Sequence, residues 1–321
     1  MHSESAPVVP KALITGCGGF IGSHLADFLL EKGIEVTGTV HKNMKNVDHL
    51  KNKIKIVKCD IGKREEVEKL FDSDYNYVFH LAAQSFVMPS WDNPEETLHT
   101  NIMGTEYLLN ALHKKKSNAV VLVACSSAEY GLTHADEIPI KETKELRPSS
   151  PYAVSKIGQD MLSYLYYQAF GMKIVRIRFF NTVGPRKTNN ACADFAKGIA
   201  EIEAGIATEL KVGNLNSIVD LTDIRDALNA IWVLANAKKY GETFNICSGK
   251  AVKVSDILEK FVSLSSKDIK IVTDSKKIRP LDDAVFLGDN SKLHDLGWKT
   301  KVSLDETLSD IMKYWREEVR K

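Results

Sequence analysis

Apolar residues between Ala12 and Leu30 change their spacing within one short segment. The run Ala12–Thr15 is apolar enough to form a buried strand, and the apolar residues after it recur at the spacing of a helix face. These helical positions are Ile21, Leu25, Phe28 and Leu29. Between the two patterns stand the glycines Gly16, Gly19 and Gly22. The segment is therefore predicted to be a strand that enters a helix through a glycine-rich turn.

The same alternation of strand and helix patterns continues along the chain. It predicts right-handed crossovers and a doubly wound parallel α/β sheet, followed by a mixed C-terminal part. The further predicted strands are Glu35–Val40, Lys55–Asp60, Tyr77–Ala83, Ala119–Ser127, Lys173–Asn181, Phe244–Cys247 and Ile269–Thr273. The predicted helices include Arg64–Phe71, Glu95–Lys114, Pro151–Phe170, Ala193–Gly205 and one that begins near Leu304.

The glycine-rich turn has the residue types that bind a dinucleotide. A strand that feeds a helix through such a turn points backbone N–H groups and the positive end of the helix dipole at the ligand, which favours phosphate. Gly16 permits the tight turn, Gly19 lets the backbone approach a pyrophosphate, and Gly22 allows close packing of helix and strand. We therefore predict a pyrophosphate over this turn, with Phe20 and Ile21 beside it.

The residues after the second predicted strand bear on which dinucleotide binds. Many NAD-binding folds carry an acidic residue here that binds the adenosine ribose, whereas this chain has His41 and Lys42. A cation suits a 2′-phosphate, so NADP(H) is favoured over NAD(H). The alternative is that both side chains are solvated loop charges. At the exit of the third strand, Asp60 and Ile61 are placed to contact adenine.

Hydroxyl and carboxylate groups follow the fifth predicted strand. Because ligands collect at the carboxyl ends of parallel strands, Ser126, Ser127 and Glu129 lie where chemistry is expected. The alternative for Glu129 is a partly exposed loop carboxylate. His80 lies inside an apolar strand, and we interpret it as a core histidine with satisfied polar atoms rather than as a catalyst.

A helix with a tyrosine and a lysine on one face comes next. Ser150 is predicted as its N-cap and Pro151 as its first residue. Tyr152 and Lys156 are four positions apart, so their side chains are neighbours. An ammonium beside a phenol favours the phenolate. We therefore expect Lys156 to lower the pKa of Tyr152, which makes this tyrosine an acid–base catalyst near neutral pH.

The composition excludes several classes of function. The chain has 43 Lys and Arg against 42 Asp and Glu, with a net charge of +1 and no basic block, so no nucleic-acid partner is expected. No apolar run approaches the roughly 20 residues that span a bilayer, and the N-terminal segment lacks the pattern of a signal peptide. The five cysteines are scattered. We expect a cytoplasmic protein with no membrane partner and no metal site.

Together, these motifs resemble one known enzyme family. Gly16-x-x-Gly19-x-x-Gly22, His80-Leu-Ala-Ala83, Asn101, Ser126-Ser127 and Tyr152-x-x-x-Lys156 are similar to the motif set of the extended short-chain dehydrogenases/reductases, the NAD-dependent epimerase/dehydratase family. The resemblance implies a Rossmann domain for NADP at residues 1–180, with returning segments at about 216–246. It implies a smaller mixed α/β domain for a nucleotide sugar at about 181–215 and 247–321. The further cofactor contacts that it implies are Leu81, Ala82, Ala83, Asn101, Tyr152 and Lys156.

Within this family the chain is most similar to the GDP-6-deoxy-4-keto-mannose reductases. The similarity lies in SSAEYG (126–131), RPSSPYAVSK (147–156), FNTVGP (180–185), DFAKGIAEIEAG (194–205), KVGNL (211–215) and FNICSG (244–249). It implies NADPH-dependent reduction of the C4 keto group of a GDP-4-keto-6-deoxy-hexose to a GDP-rhamnose-type product. The implied catalytic residues are Ser127, Tyr152, Lys156 and Glu129. The implied substrate-binding residues are Ser85, Ser126, Asn181, Arg186 and Arg279.

Three other functions stay open at this stage: a GDP-mannose 4,6-dehydratase, a C4 epimerase and a non-catalytic NADP-sensing protein. The pair Phe20-Ile21 stands where the dehydratases usually have Gln-Asp, which speaks against a dehydratase. Glu129, in contrast, stands where similar dehydratases carry the glutamate that abstracts the C5 proton. Val219 replaces an arginine that reaches the substrate diphosphate in the reductases, which leaves the nucleotide sugar open. The resemblance also implies a homodimer, with Glu95–Lys114 and Pro151–Phe170 as the candidate contact helices.

Overall fold

The computed structural model describes residues 9–275 and 285–321. Its strands are β1 (Lys11–Thr15), β2 (Glu35–Val40), β3 (Lys55–Lys58), β4 (Tyr77–His80), β5 (Val120–Ser126), β6 (Ile174–Phe179), β7 (Asn181–Val183), β8 (Leu210–Val212), β9 (Ile218–Asp223), β10 (Thr243–Ile246), β11 (Ala251–Lys253), β12 (Ile271–Thr273) and β13 (Val285–Phe286). Its α-helices are α1 (Phe20–Glu31), α2 (Arg64–Glu68), α3 (Val87–Asp92), α4 (Pro94–Leu98), α5 (Gly104–Lys114), α6 (Pro151–Phe170), α7 (Ala191–Glu203), α8 (Ile224–Asn236), α9 (Val254–Ser263), α10 (Ser291–His294) and α11 (Leu304–Val319).

A seven-stranded parallel sheet in the order β10-β6-β5-β4-β1-β2-β3 carries helices on both faces. At its centre β1 pairs with β2 and β4, so that Ala12 lies opposite Val36 on one side and Tyr77 on the other. Central strands that are covered on both faces need apolar side chains on both faces, which explains the continuous apolar runs. The predicted doubly wound parallel fold is confirmed.

Helices α1 and α6 begin where the sequence predicts them. α1 starts at Phe20, directly after the glycine-rich turn, and buries Leu25 and Leu29 against the sheet. At the start of α6, the Ser150 hydroxyl accepts a hydrogen bond from the Ala153 N–H at 3.1 Å, and Pro151 is the first helical residue. The predicted cap of α6 is therefore confirmed.

Three predicted elements are interrupted or end early in the structure. The helix predicted at Glu95–Lys114 contains a π-helical turn, His99–Met103, between α4 and α5. The strand predicted at Lys173–Asn181 ends at Phe179, and Asn181 begins β7, which pairs with β9 instead. The fourth strand also ends early, at His80 rather than Ala83. Apolar spacing extends across all three breaks, so the change of hydrogen-bond partner has no counterpart in the sequence pattern.

The chain divides into two compact units. The first comprises the described residues up to Glu129 together with Pro148–Arg178 and Ile231–Thr243. The second comprises Tyr130–Arg147, Phe179–Ala230 and the described residues from Phe244 onward. Compared with the predicted boundaries, the segment that returns to the first unit is shorter, and Tyr130–Arg147 lies with the second unit. Which ligand each unit binds stays a prediction.

The second unit has small sheets and an apolar core of its own. β9 pairs with β7, β11 and β13, and β8 pairs with β12. α7, α9 and α11 bury one cluster that includes Phe195, Ile199, Phe261, Leu308 and Met312. Trp298 is buried, and its indole N–H donates to the Asp226 carbonyl at 2.9 Å. None of the helices in the described ranges is long and apolar enough to cross a membrane.

Candidate active site

The three glycines of the first turn have different surroundings. Gly16 has a φ of +73°, and a Cβ placed there would come within 2.8 Å of the Ala82 backbone. At Gly22 a Cβ would come within 2.3 Å of the Gly16 carbonyl oxygen. Gly19 is exposed, and a Cβ there would meet one atom within 4 Å, the Gly16 carbonyl oxygen at 3.2 Å. The turn and packing roles predicted for Gly16 and Gly22 are confirmed, and the open backbone at Gly19 fits a pyrophosphate.

Gly18 is a further constrained glycine that the sequence analysis did not single out. A Cβ there would come within 2.4 Å of the Asn43 carbonyl oxygen. The Asn46 amide also donates to the Gly18 carbonyl at 3.2 Å. The loop after β2 is thus packed directly against the glycine-rich turn. The amide-rich run Asn43–Asn46 was the available hint in the sequence.

The residues predicted to select the cofactor lie at the exits of β2 and β3. His41 and Lys42 are exposed. The His41 ring lies 3.8 Å from the Asp60 carboxylate, so the structure brings together two of the predicted cofactor residues. Ile61 is buried, whereas Phe20 and Ile21 are partly exposed. The exposed Lys42 ammonium fits a 2′-phosphate, and contact of either residue with a cofactor stays a prediction.

Asn101 holds the loop that follows β4. Its amide oxygen accepts from the Gln84 N–H at 2.8 Å, and its amide nitrogen donates to the Gln84 carbonyl and to the Ser155 hydroxyl at 3.0 and 2.8 Å. It lies in the π-helical turn, a feature often found at functional sites. The buried Asn101 amide therefore fixes the backbone of Gln84, the residue that follows the segment Leu81, Ala82 and Ala83. Ser85, predicted to bind substrate, is exposed.

His80 is a buried core histidine, as predicted. Its ring nitrogens lie 2.8 Å from the Thr15 hydroxyl and 3.0 Å from the Thr105 hydroxyl. Burial, with a smaller effect of the Lys156 charge, lowers its pKa to about 3. The ring therefore stays neutral and links β1, β4 and α5.

Lys156 lies almost fully buried beside the carboxyl end of β5. Its ammonium nitrogen donates to the Ala124 carbonyl at 2.7 Å and to the Gln159 side-chain oxygen at 2.8 Å. Burial lowers the pKa of Lys156 to about 8. The ammonium lies 5.9 Å from the centre of the Tyr152 ring. The two side chains are therefore neighbours, as the four-residue spacing predicts.

The predicted effect of Lys156 on Tyr152 is wrong in this structure. Burial raises the pKa of Tyr152 to about 12, and a hydrogen bond from the Ser126 side chain opposes this effect. Lys156 does not lower the phenol pKa because its ammonium points to Ala124 and Gln159, while loss of water around the ring disfavours the phenolate. The arrangement keeps Tyr152 protonated near neutral pH, which suits a proton donor.

Of the serine pair, it is Ser126 whose side chain acts on the pKa of Tyr152. Ser126 also accepts from the Ala128 N–H at 3.2 Å, within the short turn Ser127–Tyr130. Ser127 is buried one residue further along this turn. Successive residues of a strand point to opposite faces, so the sequence could not decide which serine of the pair faces the phenol. The contact of Ser127 with a substrate carbonyl stays a prediction.

Glu129 is fully buried, so the interpretation as a partly exposed loop carboxylate is wrong. Its carboxylate accepts from the Ser126 N–H at 2.8 Å and from Arg178 Nε at 3.0 Å. Arg178 also pairs with Asp160 at 2.9 Å, and Asp160 pairs with Arg176. Burial and the nearby Asp160 charge raise the pKa of Glu129.

Three members of this buried cluster are not among the predicted site residues. Arg176 and Arg178 alternate with apolar residues in β6, and charges in such a strand indicate buried partners. Asp160 lies four residues beyond Lys156, on the same face of α6. Atoms of Cys125, Glu129 and Asp160 lie within 4.8 Å of one another, but the Arg178 guanidinium already pairs with both carboxylates. The cluster therefore gives no reason to propose a metal.

Of the predicted substrate residues, Ser85 and Ser126 belong to the first unit, whereas Asn181 and Arg186 belong to the second. Asn181 is exposed at the start of β7, and Arg186 follows in a turn with a φ of +67°. Val219 lies in β9 and packs against the apolar core of this unit. Arg279 lies outside the described residues.

Comparison with known proteins identifies the family. The family model for GDP-mannose 4,6 dehydratase matches residues 13–311. A GDP-6-deoxy-D-mannose reductase of Pseudomonas aeruginosa is 28% identical over 97% of this chain and 98% of its own length. A GDP-mannose 4,6-dehydratase of Yersinia enterocolitica is also 28% identical, over 94% of this chain and 92% of its own length.

A solved structure supports the same fold. RMD from Pseudomonas aeruginosa complexed with NADPH superimposes with a TM-score of 0.86 and 26% sequence identity. The match covers 97% of this chain and all of the compared chain, at 100%. The similarity to a reductase and to dehydratases is of the same order, so the comparisons support the family without resolving the reaction.

Proposed function

Because this chain belongs to the GDP-mannose 4,6-dehydratase family, we propose that it catalyses the NADPH-dependent reduction of the C4 keto group of a GDP-4-keto-6-deoxy-hexose. The observation that carries this proposal is the placement of the Lys156 ammonium 5.9 Å from the centre of the Tyr152 ring, where burial keeps the phenol protonated. These groups and the glycine-rich turn lie in the same compact unit. They are the groups that a carbonyl reduction needs, namely a proton donor and a hydrogen-bond donor for the carbonyl oxygen.

Tyr152 and a serine supply the two catalytic groups of the proposed reduction. Bound NADPH supplies the hydride that is added to the sugar C4 carbon. Tyr152 donates its proton to the C4 oxygen, which completes the reduction to an alcohol. A serine hydroxyl donates a hydrogen bond that strengthens as negative charge develops on that oxygen. We assign this hydroxyl to Ser127, by resemblance, while Ser126 orients the phenol.

Lys156 is suited to fix α6, which carries Tyr152, against β5 and to bind the nicotinamide ribose. Its remaining N–H can donate to a hydroxyl group, since an ammonium has three donors and two are used by Ala124 and Gln159. A pKa lowered to about 8 leaves Lys156 mostly charged at pH 7. It is therefore a hydrogen-bond donor at neutral pH.

The preference for NADPH follows from the loop after β2. The exposed side chains of His41 and Lys42 stand where an acidic residue would bind the adenosine ribose of NAD. The RMD structure, which matches this fold, holds NADPH. We therefore assign NADP(H) in preference to NAD(H).

The GDP-linked substrate is proposed from the relatives, since both matched enzymes carry GDP-sugars in their names. Val219 cannot bind a diphosphate, so Arg186, or Arg279 outside the described residues, takes that role in the proposal. A 4,6-dehydratase is the second candidate because of the equal identity to such enzymes. A dehydratase or an epimerase returns its cofactor to the starting state, and a sensor does not turn over.

The test is the absorbance of NADPH after addition of the enzyme to a GDP-4-keto-6-deoxy-hexose. The proposal requires one NADPH oxidised for each sugar reduced at C4. Formation of a 4-keto product from GDP-mannose with no net change in cofactor would establish the dehydratase instead. No reaction with either sugar would direct the search to other nucleotide sugars, because of Val219.

A homodimer is proposed from exposed apolar side chains on the first unit. On α6 these are Val154, Met161 and Leu165, which are 46%, 41% and 54% exposed. Met88 and Trp91 of α3 are exposed as well, at 54% and 58%. An apolar stripe on a long helix is typical of a surface that another copy covers.

A further inference from the structure

Glu129 is bound on both carboxylate oxygens by groups of its own chain. Oε1 accepts from the Ser126 N–H at 2.8 Å, and Oε2 accepts from Arg178 Nε at 3.0 Å. The residue has no exposed surface. A carboxylate that removes a substrate proton must come within hydrogen-bond distance of it. Each oxygen keeps a free lone pair, but because Glu129 has no exposed surface it could reach a sugar proton only by leaving its place in the buried cluster.

The partner of Glu129 is itself held in place. Arg178 Nη2 pairs with Asp160 at 2.9 Å, and Asp160 also pairs with Arg176. The Arg176 guanidinium donates further to the Gly241 carbonyl at 2.9 Å. Two carboxylates and two guanidinium groups therefore form one buried cluster between α6 and β6. Withdrawing one member would leave a buried charge without its partner, so the cluster resists rearrangement.

On the basis of the C4 reduction proposed above, we propose that Glu129 is a positioning residue that ties the Ser126–Ser127 turn to Arg178 and does not remove the C5 proton of the sugar. Ser126 provides the link, because its N–H donates to Glu129 at 2.8 Å while its side chain lowers the pKa of the Tyr152 phenol. A shift of this turn moves the hydrogen-bond partner of the proton donor. The chain is then limited to chemistry at C4 and does not act as a 4,6-dehydratase.

The charge of Glu129 also acts on the acid–base pair. For Tyr152, burial raises the pKa and the Glu129 charge raises it further. For Lys156, burial lowers the pKa and the Glu129 charge opposes this effect. The other ionisable groups around these residues are Cys125 on β5, Asp160 on α6, Arg176 and Arg178 on β6, and His80 on β4. Loss of the Glu129 charge should therefore lower the pKa of the Tyr152 phenol.

The first experiment compares the kinetics of C4 reduction in Glu129→Gln and the wild type. The amide oxygen can replace one acceptor, but the amide nitrogen cannot accept from Arg178. We expect kcat to fall roughly 10- to 100-fold, since a displacement of about 1 Å can cost this much. The KM for NADPH should stay within about twofold, because the glycine-rich turn is unchanged. A Gln variant with the kcat and pH profile of the wild type would overturn the proposal.

Glu203→Gln is the matched control. Glu203 pairs with Arg316 through two contacts of 2.7 and 2.8 Å in the second unit. The control therefore also removes a carboxylate from an arginine pair, but it should leave kcat and its pH profile unchanged.

If Glu129→Gln does not fold, Glu129→Asp replaces it, because the shorter side chain keeps its charge but cannot reach both partners. We expect a loss of kcat of roughly tenfold, and wild-type kcat would contradict the proposal.

Solvent isotope incorporation distinguishes a positioning residue from a base. When the wild-type reaction is run in D2O, C5 of the sugar should gain no more deuterium than in an incubation without enzyme. Enzyme-dependent deuterium at C5 that disappears in Glu129→Gln would show that Glu129 removes that proton, and the proposal would fail.

A measurement without substrate separates this proposal from the reductase function. NMR of 13Cζ-labelled tyrosine, with the Tyr152 signal assigned through Tyr152→Phe, follows the phenol directly. In Glu129→Gln this signal should titrate at a lower pH than in the wild type, and Glu203→Gln should not change it. An unchanged titration would overturn the positioning role. The expected shift, in an enzyme that fails to oxidise NADPH with the keto sugar, would overturn only the reductase function.

Discussion

The ammonium nitrogen of Lys156 lies 2.7 Å from the carbonyl oxygen of Ala124 inside β5. This contact ties the catalytic face of α6 to the strand that ends in the serine pair. The ammonium is almost fully buried, and its pKa is lowered to about 8 because burial disfavours the charged form. Position and charge of Lys156 are therefore set by the same surroundings, and both can be tested.

Lys156 should make the free energy of unfolding depend on pH. Its folded pKa of about 8 lies below the ordinary value of 10.5, so the unfolded chain binds more protons between these two values. The free energy of unfolding therefore rises as the pH increases from about 8 to about 10.5, because the buried Lys156 loses its charge in the folded state first. It falls again when the pH is lowered through this range. Lys156→Met should be stabilised relative to the wild type at pH 7, and the difference should shrink toward pH 10.5 in urea unfolding. A constant difference at all pH values would contradict the lowered pKa.

Replacing Tyr152 by Phe should remove the proton donor. We expect kcat to fall by at least about 10²-fold, the usual effect of losing a general acid, while NADPH binding is kept. Steady-state kinetics and NADPH fluorescence titration measure the two quantities. Tyr164→Phe is the control, because Tyr164 lies on the same helix and is 41% exposed. Normal turnover of Tyr152→Phe would refute the assignment.

The glycine-rich turn can be tested against a glycine of the same backbone conformation. Gly16 and Gly33 both have a φ of +73°, but a Cβ at Gly33 would meet no atom within 4 Å, whereas at Gly16 it would clash with Ala82. Gly33→Ala should cost about 1–2 kcal/mol from the backbone alone. Gly16→Ala should cost more and weaken NADPH binding, as measured by urea unfolding and fluorescence titration. Equal losses in both variants would show that the close approach to Ala82 is unimportant.

The cofactor preference should depend on the loop after β2. Changing His41 to Asp and Lys42 to Glu together should weaken NADPH binding by at least about tenfold, since each tenfold step corresponds to about 1.4 kcal/mol of lost interaction with the 2′-phosphate. NADH binding should change little. Lys115→Glu, an exposed charge change at the end of α5, serves as the control. Equal losses for NADPH and NADH would mean that these two side chains do not select the cofactor.

The apolar stripe on α6 predicts a disruptable dimer. Met161→Glu combined with Leu165→Glu should place charges in the contact and shift the protein to monomers in light scattering. Ile206→Glu changes an equally apolar side chain, 66% exposed in the second unit, and should leave the assembly as it is. A wild-type protein that is monomeric at all concentrations would rule out this surface as a dimer contact.

Local patterns determined a large part of this molecule. β1, α1 and α6 follow from apolar spacing, glycine turns and caps, because these depend on neighbours within a few residues. The same reasoning placed Lys156 beside Tyr152, which are one helical turn apart. His80 was recognised as a core residue because its strand is apolar on both sides.

Tertiary structure decided the contacts between distant segments. The Ser126 side chain acts on the pKa of the Tyr152 phenol, and Glu129 is bound by Arg178, a residue 49 positions away. The prediction that the pKa of the Tyr152 phenol is lowered was wrong for the same reason, since burial depends on every segment that surrounds the ring. Spacing along the chain carries the period of helices and strands but not the direction of a side chain at a strand end, nor the water that packing excludes. Those are properties of the assembled fold.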